Sequence, residues 1–379
     1  MKTRVVLRAV AAAAGVCLVV LGLASFQDAE AVPWVQDAKL TASDGAAYDY
    51  FGGSVSLSGT TALIGADGGY DDCGIKSGAA YVFEDNGTAW VEVAKLFPAN
   101  GATDDGFGWS VSLSGTTAIV GTLEGYSGSA YVFERDGGTW SQVAHLSPSD
   151  SAAHDFFGCS VSVSGTRAVV GARWDDDCGT RSGAAYVFED NGTAWVELAK
   201  LFPSEGATGD GFGFSVALSG TTAIVGADEQ YSGTDSGSAY VFEKDGGTWS
   251  QVAHLSPSDG AADDFFGCSV SISGTMALVG ALCDNDCGHL SGSAYVFEDN
   301  GTHWIEVCKL TASDGDNGDC FGGSVSLSGT RALVGAVDED ALGLNSGSAY
   351  IFEPIPEPTT LGLVALGLGV AVLRRQRRG

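Results

Sequence analysis

The chain has 379 residues, 56 of them glycine, and a formal net charge of −29. Its length would hold two or three ordinary domains, but all-β rings often run past about 250 residues as one, and one domain is the simpler reading. The acidic balance excludes a surface that recruits nucleic acid or anionic lipid.

In chain order, the first feature is a targeting segment. Lys2, Arg4 and Arg8 flank an apolar stretch from Val5 to Leu23, and Ala29-Glu30-Ala31 supplies a small-x-small cleavage pattern. A secretory signal peptide spanning residues 1–31 is expected, with signal peptidase as its processing partner. A retained N-terminal anchor is the alternative. From residue 32 to 353 the chain carries 44 acidic and 11 basic residues, a balance suited to solubility after export.

That middle region is repetitive. Phe-Gly pairs begin at Phe51, Phe107, Phe157, Phe212, Phe266 and Phe321, each with Asp two residues earlier. Such a period marks stacked or radially arranged supersecondary units. In the first unit, Ser54-Val55-Ser56-Leu57 alternates small polar with apolar, and Ser58-Gly59-Thr60 is a tight turn. Ala62-Leu63-Ile64-Gly65-Ala66 is an apolar run fit for a buried strand. After a variable loop come Ala80-Tyr81-Val82-Phe83-Glu84, an Asn86-Gly87 hairpin and the more polar Trp90 to Leu96. Asn86, Asn191 and Asn300 also fit glycosylation sequons, but the hairpin explains them better.

The ends of the array are complementary. The last unit stops at Tyr350-Ile351-Phe352-Glu353 without a Trp strand, whereas Trp34 to Leu40 is a Trp strand without a unit before it. The expected fold is all-β: a six-bladed β-propeller of four-stranded blades, with Trp34 to Leu40 completing the last blade and closing the ring. An open solenoid is the competing architecture. Units one, three and five share a Cys-containing loop and an Asp-Asn-Gly-Thr hairpin, while units two and four share Gly-Gly-Thr-Trp-Ser-Gln-Val-Ala-His-Leu. A pair of units has been duplicated.

The repeats resemble FG-GAP repeats, the units of integrin α-subunit propellers, through Phe107-Gly108-Trp109-Ser110-Val111, Val120-Gly121 and Tyr131-Val132-Phe133. In calcium-binding members an Asp-rich loop joins the first two strands of a blade, because calcium takes six to eight oxygens. Here those turns are Ser58-Gly59-Thr60, Ser114-Gly115-Thr116 and their equivalents, without carboxylates. The resemblance therefore transfers no calcium site, and no cofactor is expected. At the other end, Pro356-Glu357-Pro358, an apolar run from Leu361 to Leu373 and Arg374, Arg375, Arg377 and Arg378 follow one another. Residues 354–379 resemble a PEP-CTERM sorting signal, which implies a Gram-negative-type bacterium, an exosortase-type processing enzyme and transient anchoring in the inner membrane.

Acidic residues gather in the loops after the second and fourth strands: Asp71, Asp72, Asp175 to Asp177, Asp284, Asp286, Asp338 to Asp340, and the repeated Asp49, Asp105, Asp155, Asp210, Asp264 and Asp319. Up-and-down strands put both loop sets on one face. Asp314, Asp316 and Asp319 form its best single cation candidate; the competing reading is that Asp caps turns. Eight cysteines remain after signal removal, and disulfides persist in an oxidising compartment. Cys159 is placed to reach Cys178, Cys268 to reach Cys283 or Cys287, and Cys308 to reach Cys320, while Cys73 has no obvious partner.

No acid, base and nucleophile set stands out. His145 and His254 take the position of Lys95 on the outer strand, which reads as surface. The once-per-unit Trp residues read as packing, leaving Trp109 and Trp174 as candidate ligand contacts. The expected function is a non-enzymatic adhesion or interaction scaffold at the cell surface. Carbohydrate or cation binding on the acidic face is the alternative, with polysaccharide or a surface protein as partner.

Overall fold

The small, alternating residues of each repeat produce short strands, and the glycines decide how those strands meet. The computed structural model describes residues 38–354, except 47, 69, 72–73, 76–77, 100–105, 124–126, 229–235, 287 and 340–346. Every named element among the described residues is a β-strand, and the strands form six blades of the predicted propeller. Blade 3 is representative: Phe157–Ser164, Arg167–Ala172, Ala184–Asp190 and Trp195–Leu201 pair antiparallel in sequence order. The five blades from Ser54–Ser58 to Trp304–Leu310 each hold four such strands. The sixth shows three, Phe321–Ser328, Arg331–Ala336 and Ser348–Phe352. Most of the closing strand predicted at Trp34 to Leu40, and both terminal sorting segments, lie outside the described residues.

The Phe-Gly pair acts between blades. Phe157 pairs with Gly128 of blade 2 in a parallel bridge, and its ring, fully buried, meets Tyr186 and Phe188 edge-on at 5.6 and 6.0 Å. Gly158 occupies a bulge with φ +88°, and a Cβ there would lie 2.2 Å from the Ser129 carbonyl oxygen. Both conditions demand glycine. A second glycine faces it: a Cβ on Gly121 would sit 2.1 Å from the Gly158 carbonyl oxygen, which also accepts a 2.8 Å bond from the Ser110 hydroxyl.

The same serine-to-glycine bond recurs at every consecutive junction, from Ser54 to Gly108 through Ser269 to Gly322. Further serines accept from the next blade's backbone, as Ser112 does from Val163 at 3.0 Å. The apolar clusters straddle the junctions, so Ile119, Val132 and Leu146 of blade 2 pack with Phe157, Val170 and Tyr186 of blade 3. Trp195 lies against this cluster and Trp140 against the preceding one. The two end blades differ. Val55 and Leu57 of blade 1 are 69% and 66% exposed, whereas Val111 and Leu113, their counterparts in blade 2, are buried.

Gly171, whose Cβ would lie 2.0 Å from the Gly213 carbonyl oxygen, tests the junction. Gly171→Ala is expected to cost about 3 kcal/mol, at the upper end for overpacking. Gly192→Ala, at φ +85° in an open hairpin, should cost about 1 kcal/mol. Equal losses of stability in chemical denaturation would contradict close backbone approach as the reason for Gly171.

Candidate functional site

The acidic loops converge in the odd-numbered blades, and a lysine sits at each point of convergence. In blade 3 the Lys200 ammonium lies 2.8 Å from Asp150, 2.8 Å from Asp175 and 2.6 Å from Asp177. The Tyr186 hydroxyl lies 2.8 Å from Asp150 and 2.7 Å from Asp175, and Lys200 stands 5.1 Å from the Tyr186 ring centre. Blade 5 repeats the knot with Lys309, Asp259, Asp284, Asp286 and Tyr295. Blade 1 keeps Lys95, Asp44 and Tyr81, with ion-pair and hydroxyl bonds of 2.7 and 2.9 Å; residue 72 in its acidic loop is outside the described set. Lysine on the fourth strand, Asp four residues beyond the end of the preceding blade's fourth strand and Asp-x-Asp after the second strand together form the signal that sequence reasoning missed.

Carboxylate oxygens of Asp150, Asp175 and Asp177 lie within 4.8 Å of one another, the spacing of a cation site. Here the ammonium group holds the cation's place. Burial alone would lower the Lys200 ammonium, but its three carboxylate bonds outweigh that and hold it above the ordinary lysine value. Burial would likewise raise Asp150, yet bonds from Lys200 and Tyr186 bring it below the usual carboxylate value. Three carboxylates collected without a counter-charge would repel one another strongly, so the lysine is what allows the loops to meet.

The even blades use another device at the same position. His145 stacks on Tyr131 at 4.6 Å and its Nε2 lies 3.0 Å from the Ser129 hydroxyl. His254 stacks on Tyr240 at 4.6 Å and lies 2.9 Å from Ser238. Both histidines are exposed, as their reading as surface expects, and each lays its ring on the neighbouring tyrosine.

The Asp preceding each Phe-Gly pair is a turn cap at every described position. Asp155 accepts from the Ala152 backbone N–H at 2.7 Å, and Asp210, Asp264 and Asp319 do the same in later blades. Each lies between residues in the left-handed region, as Asp155 does between His154 at φ +75° and Phe156 at +56°. Such residues cost about 1 kcal/mol or more apiece, and the carboxylate bond offsets part of this. Asp105 lies outside the described residues.

The candidate trio is not brought together as one site. Asp314 accepts from the Tyr350 hydroxyl at 3.0 Å, Asp316 bonds the Asn317 backbone at 2.7 Å, and Asp319 is buried as a cap. Nor are the staples formed: Cys159, Cys178, Cys268, Cys283, Cys308 and Cys320 are free thiols. Cys159 and Cys268 follow the Phe-Gly bulge, where their sulfur atoms face the next blade's carbonyls, Gly213 at 3.4 Å and Gly322 at 3.6 Å. Cys178 and Cys308 are exposed. Burial pushes Cys268 up to about 12 and Cys283 up to about 11, which keeps both as unreactive thiols at neutral pH. Cys73 and Cys287 lie outside the described residues. Trp174 lies edge-on to Phe156 at 4.4 Å, and Trp109 is 42% exposed.

The buried Phe, the bulge glycine and its opposing glycine repeat as a unit, and a sequence profile described as the FG-GAP repeat matches residues 34–83, 90–133, 140–188, 195–242, 249–297 and 304–352. The chain belongs to the FG-GAP repeat family. Each match in this FG-GAP protein starts at a Trp, which from Trp90 onward lies on a fourth strand, and ends in the third strand of the following blade. A PEP-CTERM protein-sorting motif matches residues 354–378, which implies export in a Gram-negative-type bacterium. Among the described residues no helix is long and apolar enough to cross a membrane. No curated protein matches the chain. A solved structure of a putative 6-phosphogluconolactonase from Bacteroides uniformis is similar, with TM-score 0.54 and 13% identity over 80% of this chain and 81% of that one. At that identity the likeness shows the fold.

Lys200→Met should remove about 3 kcal/mol of stability at pH 7 by leaving the carboxylates without their partner. In the wild type the folded-state value of Asp150 is depressed, so this stabilisation is present above about pH 4 and is lost as pH falls through that depressed value. The gap between variant and wild type should therefore close below about pH 4. Calcium should raise the melting temperature of the variant and leave the wild type unmoved; a wild type that gains as much would show that lysine does not hold the cation position.

Proposed function

We propose that this FG-GAP protein is an exported, non-enzymatic interaction scaffold that displays the loops after its second and fourth strands to surface partners, proteins or polysaccharides. The observation that carries this reading is the engagement of the acidic face. Its Asp side chains accept from Lys200, Lys309, Tyr186, Tyr295 and backbone N–H groups, so they stiffen the loops they belong to. Rigid display lowers the ordering cost when a loop meets a partner. Cation binding is the weaker reading, because the described carboxylate cluster already holds an ammonium group. The sorting motif implies export and is consistent with processing by an exosortase.

The mature protein, incubated with calcium or with EDTA, should melt at one temperature, and it should not open sugar lactones above the uncatalysed rate. Turnover that disappears on Asp175→Asn, with the fold retained by circular dichroism, would replace the scaffold reading with an enzymatic one.

A further inference from the structure

Arg173 differs from seven other described basic residues of the propeller. Lys95, Arg135, Arg167, Lys200, Lys244, Lys309 and Arg331 each form an ion pair with a carboxylate. The Arg173 guanidinium forms none with any described residue, and its Nε is buried without an acceptor. It is held by rings instead, 5.2 Å from Phe156, 5.3 Å from Trp174 and 5.5 Å from Phe214. A second guanidinium, Arg181, stands 4.4 Å from the same Trp174 ring.

The acids nearest in sequence are engaged elsewhere. Asp155 caps the turn at Ala152, Asp175 serves Tyr186 and Lys200, and Asp176 accepts from the Arg181 backbone. A chain with 44 acidic residues between positions 32 and 353 thus leaves one guanidinium over three aromatic rings without a counter-ion. Ring contacts hold the guanidinium and leave its Nε–H without an acceptor. A planar fork of N–H donors matches a carboxylate through two parallel bonds. Two cations around one indole repel each other, and an anion between them would relieve that repulsion. The cluster also joins two blades: Arg173 follows the second strand of blade 3, and Phe214 belongs to the first strand of blade 4.

We propose that Arg173, Trp174, Phe156 and Phe214 form a binding site for a carboxylate carried on a saccharide, as in a uronic acid residue. Arg173 takes the carboxylate, Arg181 adds charge beside the same indole, and the partly exposed Trp174 and Phe214 rings meet the C–H face of the sugar ring. The site deepens the scaffold reading by giving it an acidic polysaccharide as partner. It would remain if the protein also proved to be an enzyme.

The mature protein should be titrated with an oligogalacturonate while tryptophan fluorescence and heat of binding are followed. The same oligosaccharide with its carboxylates reduced to alcohols should bind at least tenfold more weakly, and Arg173→Met should weaken oligogalacturonate binding at least tenfold. Arg173→Lys should recover part of the affinity, and Lys244→Met, remote from the rings, should leave it unchanged. Melting curves of each variant separate lost binding from lost fold. Equal affinity for the reduced oligosaccharide, undiminished binding by a folded Arg173→Met, or acetate binding as tightly as the oligosaccharide would overturn the assignment. Absence of binding would sink the site and leave the scaffold reading intact, whereas cleavage of the oligosaccharide would sink the non-enzymatic reading alone.

Discussion

The approach of two glycines across each blade junction is the constraint on which the rest of this propeller depends. Because Gly121 and Gly158 carry no Cβ, the second strand of one blade can meet the Phe-Gly bulge of the next at backbone distance. That approach brings the Ser110 hydroxyl onto the Gly158 carbonyl and seats Phe157 among the aromatic residues of its blade. A larger residue at either glycine would separate the strands, remove the serine bond and open the cluster that Ile119 and Val170 share. Blade geometry, apolar burial and polar satisfaction therefore rest on the same pair of positions.

Packing of the blades also determines what the loops can do. Once the strands are fixed, the loop after the second strand and the loop leading into the blade arrive at the same end of the sheet, and both are rich in Asp. Bringing Asp150, Asp175 and Asp177 together at that end requires a positive charge among them. Lys200 meets this need because its position on the fourth strand lies opposite Tyr186 on the third. Tyrosine then serves twice, with its ring beneath the ammonium and its hydroxyl bonded to the acids. In blades with His at this position, ring stacking on Tyr131 or Tyr240 takes over the packing role.

The fold was legible because its constraints are local and repeated. The Phe-Gly pair and the Ser-Gly turn recur in every unit, and an Asn-Gly or Asp-Gly hairpin, which acts within a few residues, recurs in the first five. The Asp before Phe-Gly could also be read as a cap, since its partner N–H lies three residues earlier. The lysine knots were less legible: Lys200, Asp150 and Asp175 are separated by 25 to 50 residues, and only the blade register shows that they converge. The cysteines misled for a related reason. Cys159 lies near the start of the first strand of blade 3 and Cys178 in the loop after its second strand, but the bulge after Phe157 turns the Cys159 sulfur toward Gly213 of the next blade.

The same register argument bears on the two end faces. Blade 1 presents Val55 and Leu57, and blade 6 presents Leu333 and Ile351, all well exposed. Their residue types match those buried at the five consecutive junctions. Ser324 and Gly335 of blade 6 repeat the donor and close-approach positions that Ser269 and Gly280 fill in blade 5, and Gly52 of blade 1 keeps the acceptor position. Simple solubility would favour polar residues at these places, as in the terminal units of open arrays, whose outer faces are polar. Retention of the junction chemistry in both end blades means that the repeat was copied whole, with the same apolar face on blade 1 and blade 6 among the described residues. Six equivalent units with matching faces fit a ring of blades better than an open solenoid.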